Sequence, residues 1–377
     1  MKTFFDPLYG FIEVTPLMLS FIDTPEFQRL RELKQLGAVH YVFPSANHTR
    51  FEHSIGVSHL AGKLMKHLRE KQPELQISMR DVELTRLAGL LHDIGHGPYS
   101  HLYDHYICED GDMLHEERGI HLIRRMVSQY KIPLPDDELE YVIDMIAPPR
   151  EKQNIWKYQI VANKVHTIDV DKMDYIQRDC YHVGIQLGGD YKRIMNESRV
   201  LEYQGSDMLT WNKKVEFDIE SLLVARFRLH KQVLTHHTVK AYEYMIVQIL
   251  KNIPEKDPLK MMDHCIHLVK KNIWKVAMNV REMYRLVEEK VCSGAEVCEK
   301  EFPYFGNGFI IDHIEVGYTS DVLPVKVPLF NKCDIVSLDS VIDKKGERVY
   351  RLYVLPYLKD VYLEEAYTNW EKIFQKK

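Results

Sequence analysis

The sequence predicts a mainly α-helical protein with a small C-terminal α+β lobe, and two observations carry this prediction. Up to about residue 300, apolar residues recur at helical spacing. After Phe302, β-branched residues and polar–apolar alternation appear in short runs, which are typical of strands. We therefore expect a helical domain over 1–300 and an α+β lobe over 301–377 that packs on it.

The helices follow in chain order from periodicity and capping. Ser78, with Asp81 three residues later, has the pattern of a capping box and predicts the start of a helix that ends before Gly95. Other helices are expected over 54–70, 161–181, 216–250 and 358–374, with a helical pattern from 251 to 300. The predicted strands are 309–311, 313–316, 324–329 and 348–354.

Composition and charge narrow the class of protein. The 377 residues are 45% apolar and 28% charged, as in soluble globular proteins, and the net charge of −5 argues against nucleic acid as the main partner. The six cysteines include no CxxC pair, which suits a reducing compartment. There is no signal-peptide pattern and no apolar run of about 18 residues, so we expect no membrane contact. We expect a cytosolic protein, with the nucleus as the alternative.

Histidine is unevenly distributed along the chain. Six of the 19 histidines lie between residues 92 and 121, namely His92, His96, His101, His105, His115 and His121. Histidine titrates near neutrality and is the commonest metal ligand. A cluster of this density therefore points to a functional site.

The doublet His92-Asp93 lies at the end of the apolar helix that Ser78 begins. Taken alone, it is better explained by a helix-end histidine that bonds a carbonyl. In context it is followed by more histidines, and polar groups at a buried helix end cost free energy unless they are paired or bound to metal. His53, which follows Arg50-Phe51-Glu52, is a further candidate ligand.

Longer stretches resemble a known family. They are similar to the HD-domain metal-dependent phosphohydrolases, and more narrowly to the HD core of the SAM-and-HD-domain deoxynucleoside triphosphate triphosphohydrolases. The matching stretches are 23–31, 34–37, 41–44, 50–57, 92–101, 168–175 and 190–193. The similarity is dense over residues 1–195, and we expect no SAM-like segment before this core.

The resemblance implies that His53, His92, Asp93 and Asp171 bind one metal ion. Two imidazoles and two carboxylates suit Fe, Mn, Co, Ni or Zn better than Ca. Four protein ligands leave positions for a water molecule and a phosphate oxygen, and the ion can then lower the pKa of the bound water.

The resemblance gives other members of the histidine cluster a role in phosphate chemistry. It implies that His96 and His115 face the phosphates and that His101 is the acid/base. Asp104, at i,i+3 from His101, is expected to orient that imidazole. For two members we prefer the alternative that they are solvated loop histidines, namely His105 and His121.

The same resemblance implies a substrate pocket. Gln35 and Leu36 match residues that lie against the sugar and exclude a 2′-hydroxyl, and Tyr175 and Asp179 match residues that hold the 3′-hydroxyl. The expected phosphate contacts are Arg50, Lys172, Arg226 and His230. Each has a structural alternative, such as a core position for Leu36 and surface positions for the cations. The chain departs from the family at Leu234-Thr235, where a Tyr followed by Gln is expected, and this leaves the base preference open.

Activator sites are also implied. Lys2, Asp23, Gln28 and Arg31 match a guanine-nucleotide pocket, although Asp23 is equally well explained as a capping residue. A second nucleotide site is matched at Arg193 and Lys214, but Asn212 stands where the family has Arg. In the family these sites assemble a tetramer, so a homo-oligomer, either dimer or tetramer, is expected.

The sequence thus predicts an enzyme that converts a deoxynucleoside triphosphate and water to deoxynucleoside and inorganic triphosphate. Water bound to the metal is expected to attack the α-phosphorus, with His101 protonating the 5′-oxygen and Mg²⁺ accompanying the triphosphate. GTP and dNTP are the expected activators. The alternatives are an HD-domain nucleotidase or phosphodiesterase on another substrate, and a catalytically silent nucleotide sensor or single-strand nucleic-acid binder.

Overall fold

The structure is a computed structural model. It describes residues 2–109, 111–186, 191–203, 205–255, 257–263, 284–292, 304–307, 309–316, 325–331, 334–337, 340–342, 347–355, 358 and 360–374. Within these residues, no helix combines the length and apolar character needed to cross a membrane.

Helices dominate up to residue 251. They are α1 Pro16–Ile22, α2 Pro25–Gln28, α3 Arg50–Lys71, α4 Met79–Leu91, α5 His101–Tyr106, α6 His115–Tyr130, α7 Asp136–Ile146, α8 Val170–Val183, α9 Tyr191–Asn196, α10 Glu216–Leu229 and α11 His237–Lys251. A further helix, α12 Asp360–Phe374, lies near the C-terminus. The predicted mainly-α fold with a small α+β lobe is confirmed.

The strands form small sheets. They are β1 Lys2–Asp6, β2 Gly10–Val14, β3 Ser198–Tyr203, β4 Ser206–Asn212, β5 Arg285–Cys292, β6 Tyr304–Phe305, β7 Phe309–Val316, β8 Val325–Lys326, β9 Leu329–Asn331, β10 Asp334–Ser337, β11 Ser340–Ile342 and β12 Glu347–Val354. β1 and β2 form a hairpin, and β11 pairs with β8. The larger sheets have the orders β10-β9-β4-β3 and β5-β12-β7-β6. Because β4 pairs in parallel with β9, a late strand is joined to the helical part.

The centre of the helical part is the packing of α3 against α4 and α8. Ser78 and Asp81 form the predicted capping box at the start of α4. The apolar faces of the three helices belong to one buried cluster. Gly56 allows α3 and α8 to approach closely, because a Cβ at this position would overlap the Asp174 and Arg178 side chains. This crossing brings ends of three helices together at one point.

Two predicted helices have different bounds. The helix expected over 161–181 begins only at Val170, because the Asp169 side chain caps it by accepting the Lys172 N–H at 2.8 Å. The helix expected over 216–250 is interrupted by a π-helix, His230–Leu234, before α11 begins.

The helical pattern expected over 251–300 is wrong for Arg285–Cys292, which forms β5. Antiparallel pairing with β12, interrupted only by a register shift at Val287, overrides the helix preference of its Glu and Lys residues. The predicted strands 309–311 and 313–316 are one strand, β7, and the strand expected over 324–329 is divided between β8 and β9. Residues 264–283, 293–303 and 324, on which parts of these predictions fall, lie outside the described residues.

We expect Gly95→Ala and Gly119→Ala to have opposite effects on stability, although the two glycines touch. A Cβ at Gly95 would overlap the His115 carbonyl oxygen and the Gly119 nitrogen, so Gly95→Ala should lower the free energy of unfolding by about 1–3 kcal/mol. A Cβ at Gly119, inside α6, would lie 3.5 Å from its nearest neighbour, and alanine is about 1 kcal/mol better than glycine in a helix. Chemical denaturation measures both, and equal losses would contradict this packing.

Candidate metal centre and active site

Three of the predicted metal ligands meet at one point. His53 belongs to α3, His92 directly follows α4 and Asp171 lies in the first turn of α8. The Nε2 atoms of His53 and His92 are 3.2 Å apart, and the Asp171 Oδ1 lies 3.0 Å and 3.4 Å from them. Ligand atoms of one metal ion lie at such separations, so this group can bind an ion.

Asp93 approaches the same point from another side. Its Oδ2 is 3.5 Å from the His53 Nε2, and its Oδ1 is 3.4 Å from the His92 Nε2. The carboxylate is shared, because it also accepts a hydrogen bond from Arg50 and lies 3.3 Å from the His96 Nε2. The structure thus brings the four predicted ligands together, with Asp93 between the metal group on one side and Arg50 and His96 on the other.

The other nitrogen of each imidazole is already engaged. The His53 Nδ1 is 2.8 Å from the Asp174 Oδ2, and the His92 Nδ1 is 2.8 Å from the Gly89 carbonyl oxygen. Because both Nδ1 atoms donate, neutral rings present two Nε2 lone pairs to each other at 3.2 Å. Between neutral rings these lone pairs repel each other, and either a proton or a metal ion between them removes the repulsion, so the arrangement fits a metal ion.

Asp174 is itself held by a buried network that the sequence analysis did not assign. Arg178 donates to both oxygens of the carboxylate, at 2.8 and 3.0 Å, and the Tyr9 hydroxyl donates to Oδ1 at 2.7 Å. Arg178 also pairs with Asp6 at 2.9 Å. The positions of Asp174 and Arg178 one turn apart on α8 are a signal that could have revealed this support.

Electrostatics in the protein alone favour protonated histidines here. Burial opposes the charge, but hydrogen bonds to Asp171 and Asp174 raise the pKa of His53 to about 10. Burial also opposes charge on His92, yet Asp93 and Asp171 raise its pKa. Burial would raise the pKa of Asp171, but the two imidazoles lower it. A metal ion must therefore displace protons from this site.

The phosphate-handling candidates form a neighbouring cluster. The His96 and His115 rings are stacked, with centroids 3.9 Å apart and planes at 17°, and the His101 ring stands edge-on to His96 at 4.9 Å. Burial, followed by the charge of Arg50, lowers the pKa of His96. The same two causes lower the pKa of His101 to about 4, although its side chain is the most accessible of the three. His96 and His101 are therefore neutral in the protein alone.

The expectation that Asp104 orients His101 is wrong. The Asp104 Oδ2 accepts a hydrogen bond from the His115 Nδ1 at 2.6 Å, and its Oδ1 accepts one from Arg118. The chain turns back between α5 and α6, and this brings His115, the first residue of α6, within hydrogen-bond distance of Asp104. The carboxylate therefore binds His115 and not His101. Burial opposes charge on Asp104, but its hydrogen bonds to His115 and Arg118 lower the carboxyl pKa to about 2. Asp104 is thus an ionised partner of His115.

The predicted substrate residues line the same cavity as the metal group. This cavity has a volume of about 1130 Å³. Its wall includes the predicted sugar and phosphate contacts Gln35, Leu36, Arg50, Lys172, Tyr175, Asp179, Arg226 and His230. The Tyr175 hydroxyl accepts a hydrogen bond from the Arg226 Nε at 3.1 Å, and burial lowers the pKa of His230 to about 3. Leu234 and Thr235 also line the cavity, so the departure from the family lies inside it.

The predicted activator residues lie outside this wall. Lys2 pairs with Asp23 at 3.9 Å, and the Arg31 Nε donates to the Gln28 Oε1 at 2.9 Å. At the second predicted site, Arg193 pairs with Asp218 at 2.5 Å and donates to the Lys214 carbonyl oxygen at 3.2 Å, while the Asn212 side chain accepts the Lys214 N–H. His105 and His121 are exposed, although His105 reaches the edge of the cavity.

Comparisons with known proteins identify the class. The HD domain family matches residues 50–179, which include α3, α4 and most of α8. A deoxynucleoside triphosphate triphosphohydrolase SAMHD1 homolog from Dictyostelium discoideum is 33% identical over 86% of this chain and 70% of its own length. The chain is therefore an HD-domain protein.

More particularly, the chain belongs to the SAMHD1 family. The deoxynucleoside triphosphate triphosphohydrolases SAMHD1 of Xenopus laevis and Homo sapiens are 41% and 40% identical to it, each over 65% of this chain. The chain spans 44% of the length of each of these two relatives. The predicted resemblance is thus confirmed.

We expect Asp174→Asn to weaken metal binding without removing a ligand. Loss of the charge that holds His53 should lower the metal affinity about 10- to 100-fold. Metal affinity, measured by competition with a chelator, checks this. Asp144→Asn, which alters an ion pair with Lys152 elsewhere, is the matched control. Unchanged affinity in folded Asp174→Asn protein would contradict the role of Asp174.

Metal binding should release protons. Because the pKa of His53 is raised to about 10, His53 is protonated at pH 8, and binding of one ion should expel about one proton. Because lower pH favours the protonated ring, the metal affinity should fall about tenfold for each unit by which the pH is lowered. Calorimetry of metal binding in two buffers with different ionisation enthalpies measures the release. A pH-independent affinity between pH 7 and 9 would contradict it.

Proposed function

We propose that this chain is a metal-dependent deoxynucleoside triphosphate triphosphohydrolase. It converts a dNTP and water to a deoxynucleoside and inorganic triphosphate. The observation that carries the proposal is one cavity whose wall brings together the metal-ligand group, His101, His115 and the predicted sugar contacts. Membership of the SAMHD1 family supports the same reaction.

The metal would be held by His53, His92, Asp93 and Asp171. With two imidazoles and two carboxylates, Fe, Mn, Zn, Co or Ni are the ions of choice. When bound, such an ion supplies Lewis acidity toward a phosphate oxygen and an activated water. The protein contributes the fixed ring orientations, since the His53 and His92 Nδ1 atoms are hydrogen-bonded.

The triphosphate would be neutralised by cations on the cavity wall and by an accompanying Mg²⁺. Arg50 is held in place, because its Nε donates to the Ser100 hydroxyl at 2.7 Å while another nitrogen donates to Asp93. Lys172 and Arg226 line the same wall. His115, oriented by Asp104, presents its Nε2 to the phosphates. These groups concentrate positive charge locally in a chain whose net charge is −5.

His101 would protonate the departing 5′-oxygen. Its pKa of about 4 in the protein alone leaves it neutral at pH 7. The negative charges of a bound triphosphate would raise this pKa, because an adjacent anion favours the protonated ring. Protonation of His101 would therefore be coupled to substrate binding. The acid would form only when the leaving group of a bound substrate lies beside it.

The sugar would lie between two sides of the cavity. Gln35 and Leu36 follow the 3₁₀ turn that ends at Glu32, and close contact with a side chain there would leave no room for a 2′-hydroxyl. Tyr175 and Asp179, one turn apart on α8, offer hydroxyl and carboxylate groups to the 3′-hydroxyl. A deoxyribose is thus preferred to a ribose.

We also propose that GTP and dNTP activate the enzyme. The activator contacts would be Lys2, Asp23, Gln28 and Arg31 at one site and Arg193 and Lys214 at another. The proximity of Lys2 to Asp23 supports the first site. A homo-oligomer, a division at residues 300/301 and a cytosolic location stay predictions.

The purified, metal-loaded chain should hydrolyse each dNTP to deoxynucleoside and triphosphate and leave the matching NTPs largely intact. Chromatography of the products, with and without GTP, measures both the bond cleaved and the activation. His92→Ala should reduce turnover to background because it removes a ligand, while His121→Ala, at an exposed position, should not change it. Monophosphate plus pyrophosphate as products would contradict the reaction, and equal turnover of NTPs would contradict the sugar contacts.

A further inference from the structure

His48 is buried between the two sides of the proposed sugar site. It is 2% exposed and precedes α3 by two residues. Its Nε2 lies 2.6 Å from the Asp179 Oδ1, and its carbonyl oxygen accepts the Gln35 N–H at 3.0 Å. One residue therefore contacts Asp179 through its side chain and Gln35 through its main chain.

The surroundings of the ring define the direction of this hydrogen bond. Among the described residues, the His48 Nδ1 has no hydrogen-bond partner, and the His182 ring stacks on the imidazole with centroids 4.2 Å apart and planes at 11°. Because a carboxylate oxygen accepts, the His48 Nε2–H donates to Asp179. The stacked ring prevents His48 from rotating away from the carboxylate.

The Asp179 carboxylate is left with one oxygen for a ligand. Its Oδ1 is taken by His48, and the side chain is only 3% exposed but lines the cavity. Within the part of the chain that the structure describes, the Oδ2 has no hydrogen-bond partner. Because Asp179 lines the cavity, this oxygen is the one that can accept a hydrogen bond from a bound ligand. The sugar 3′-hydroxyl can donate such a hydrogen bond.

We propose that His48 is a positioning residue for recognition of the sugar 3′-hydroxyl. By holding the Asp179 Oδ1, it directs the Oδ2 into the cavity, and by accepting the Gln35 N–H it keeps the opposite wall of the sugar site at a fixed distance. This inference rests on the proposed function, because it assigns the 3′-hydroxyl of a deoxynucleotide to Asp179. The hydrogen bond from His48 to Asp179 lies behind the cavity wall and adds to the contacts proposed above.

The test compares 2′-deoxynucleoside with 2′,3′-dideoxynucleoside triphosphates, because the latter lack the hydroxyl in question. For the full chain, His48→Ala should lower kcat/KM for each dNTP about tenfold, the effect of losing one well-oriented charge-assisted hydrogen bond. It should change kcat/KM for the dideoxy analogue less than about twofold. Analogues that are turned over too slowly are compared through their inhibition constants. His48→Gln, whose amide N–H can donate, should recover most of the loss.

Two further variants separate positioning from a general structural effect. Asp179→Asn should show the same selective loss, and the double variant His48→Ala/Asp179→Asn should lose little more than either single variant, because both remove one interaction. His121→Ala is the control at an exposed histidine. Equal losses of kcat/KM for dNTPs and dideoxy analogues, or a wild type that does not distinguish them, would overturn the role of His48. Either result would leave the proposed function standing. Absence of triphosphate hydrolysis by the wild type would instead overturn the proposed function, and the His48 proposal with it.

Discussion

The structure depends on the meeting of two imidazole Nε2 atoms at a buried point where three helices end. The His53 and His92 Nε2 atoms are 3.2 Å apart, and the hydrogen bonds of both Nδ1 atoms prevent either ring from turning away. Between neutral rings such a contact is unfavourable unless a proton or a metal ion lies between the two atoms. The Asp174–Arg178 pair behind His53 makes the arrangement rigid, and its link to Asp6 extends this rigidity to the N-terminal hairpin.

The ionisable groups around this point differ in their charge. Next to the metal group the carboxylates are ionised, whereas burial and Arg50 keep His96 and His101 neutral. An arriving triphosphate would reverse the balance by bringing negative charge to the histidines. In the proposed function the fixed cations would attract the substrate, and the titratable His96 and His101 would respond to it. On this proposal the six clustered histidines would have different tasks, and the exposed His121 would have none of them.

The sequence was sufficient where the determinants are local. The capping box at Ser78, the helical spacing of α3 and α4 and the alternation in β7 and β12 all predict the observed elements. It failed where distant pairing decides the result. β5 is a strand because β12 lies beside it, and Asp104 binds His115 instead of His101 because the chain folds back between α5 and α6. His48 was missed because its partner, Asp179, is 131 residues away.

We propose that His53, His92 and Asp171, with Asp93 beside them, bind one transition-metal ion. Anomalous diffraction at the absorption edge of the ion, from crystals of the metal-loaded chain, tests this most directly. We expect a single strong peak per chain within about 2.0–2.2 Å of both Nε2 atoms and a carboxylate oxygen of Asp171. A fully loaded chain whose anomalous peak lies elsewhere, with the two Nε2 atoms unligated, would contradict the account.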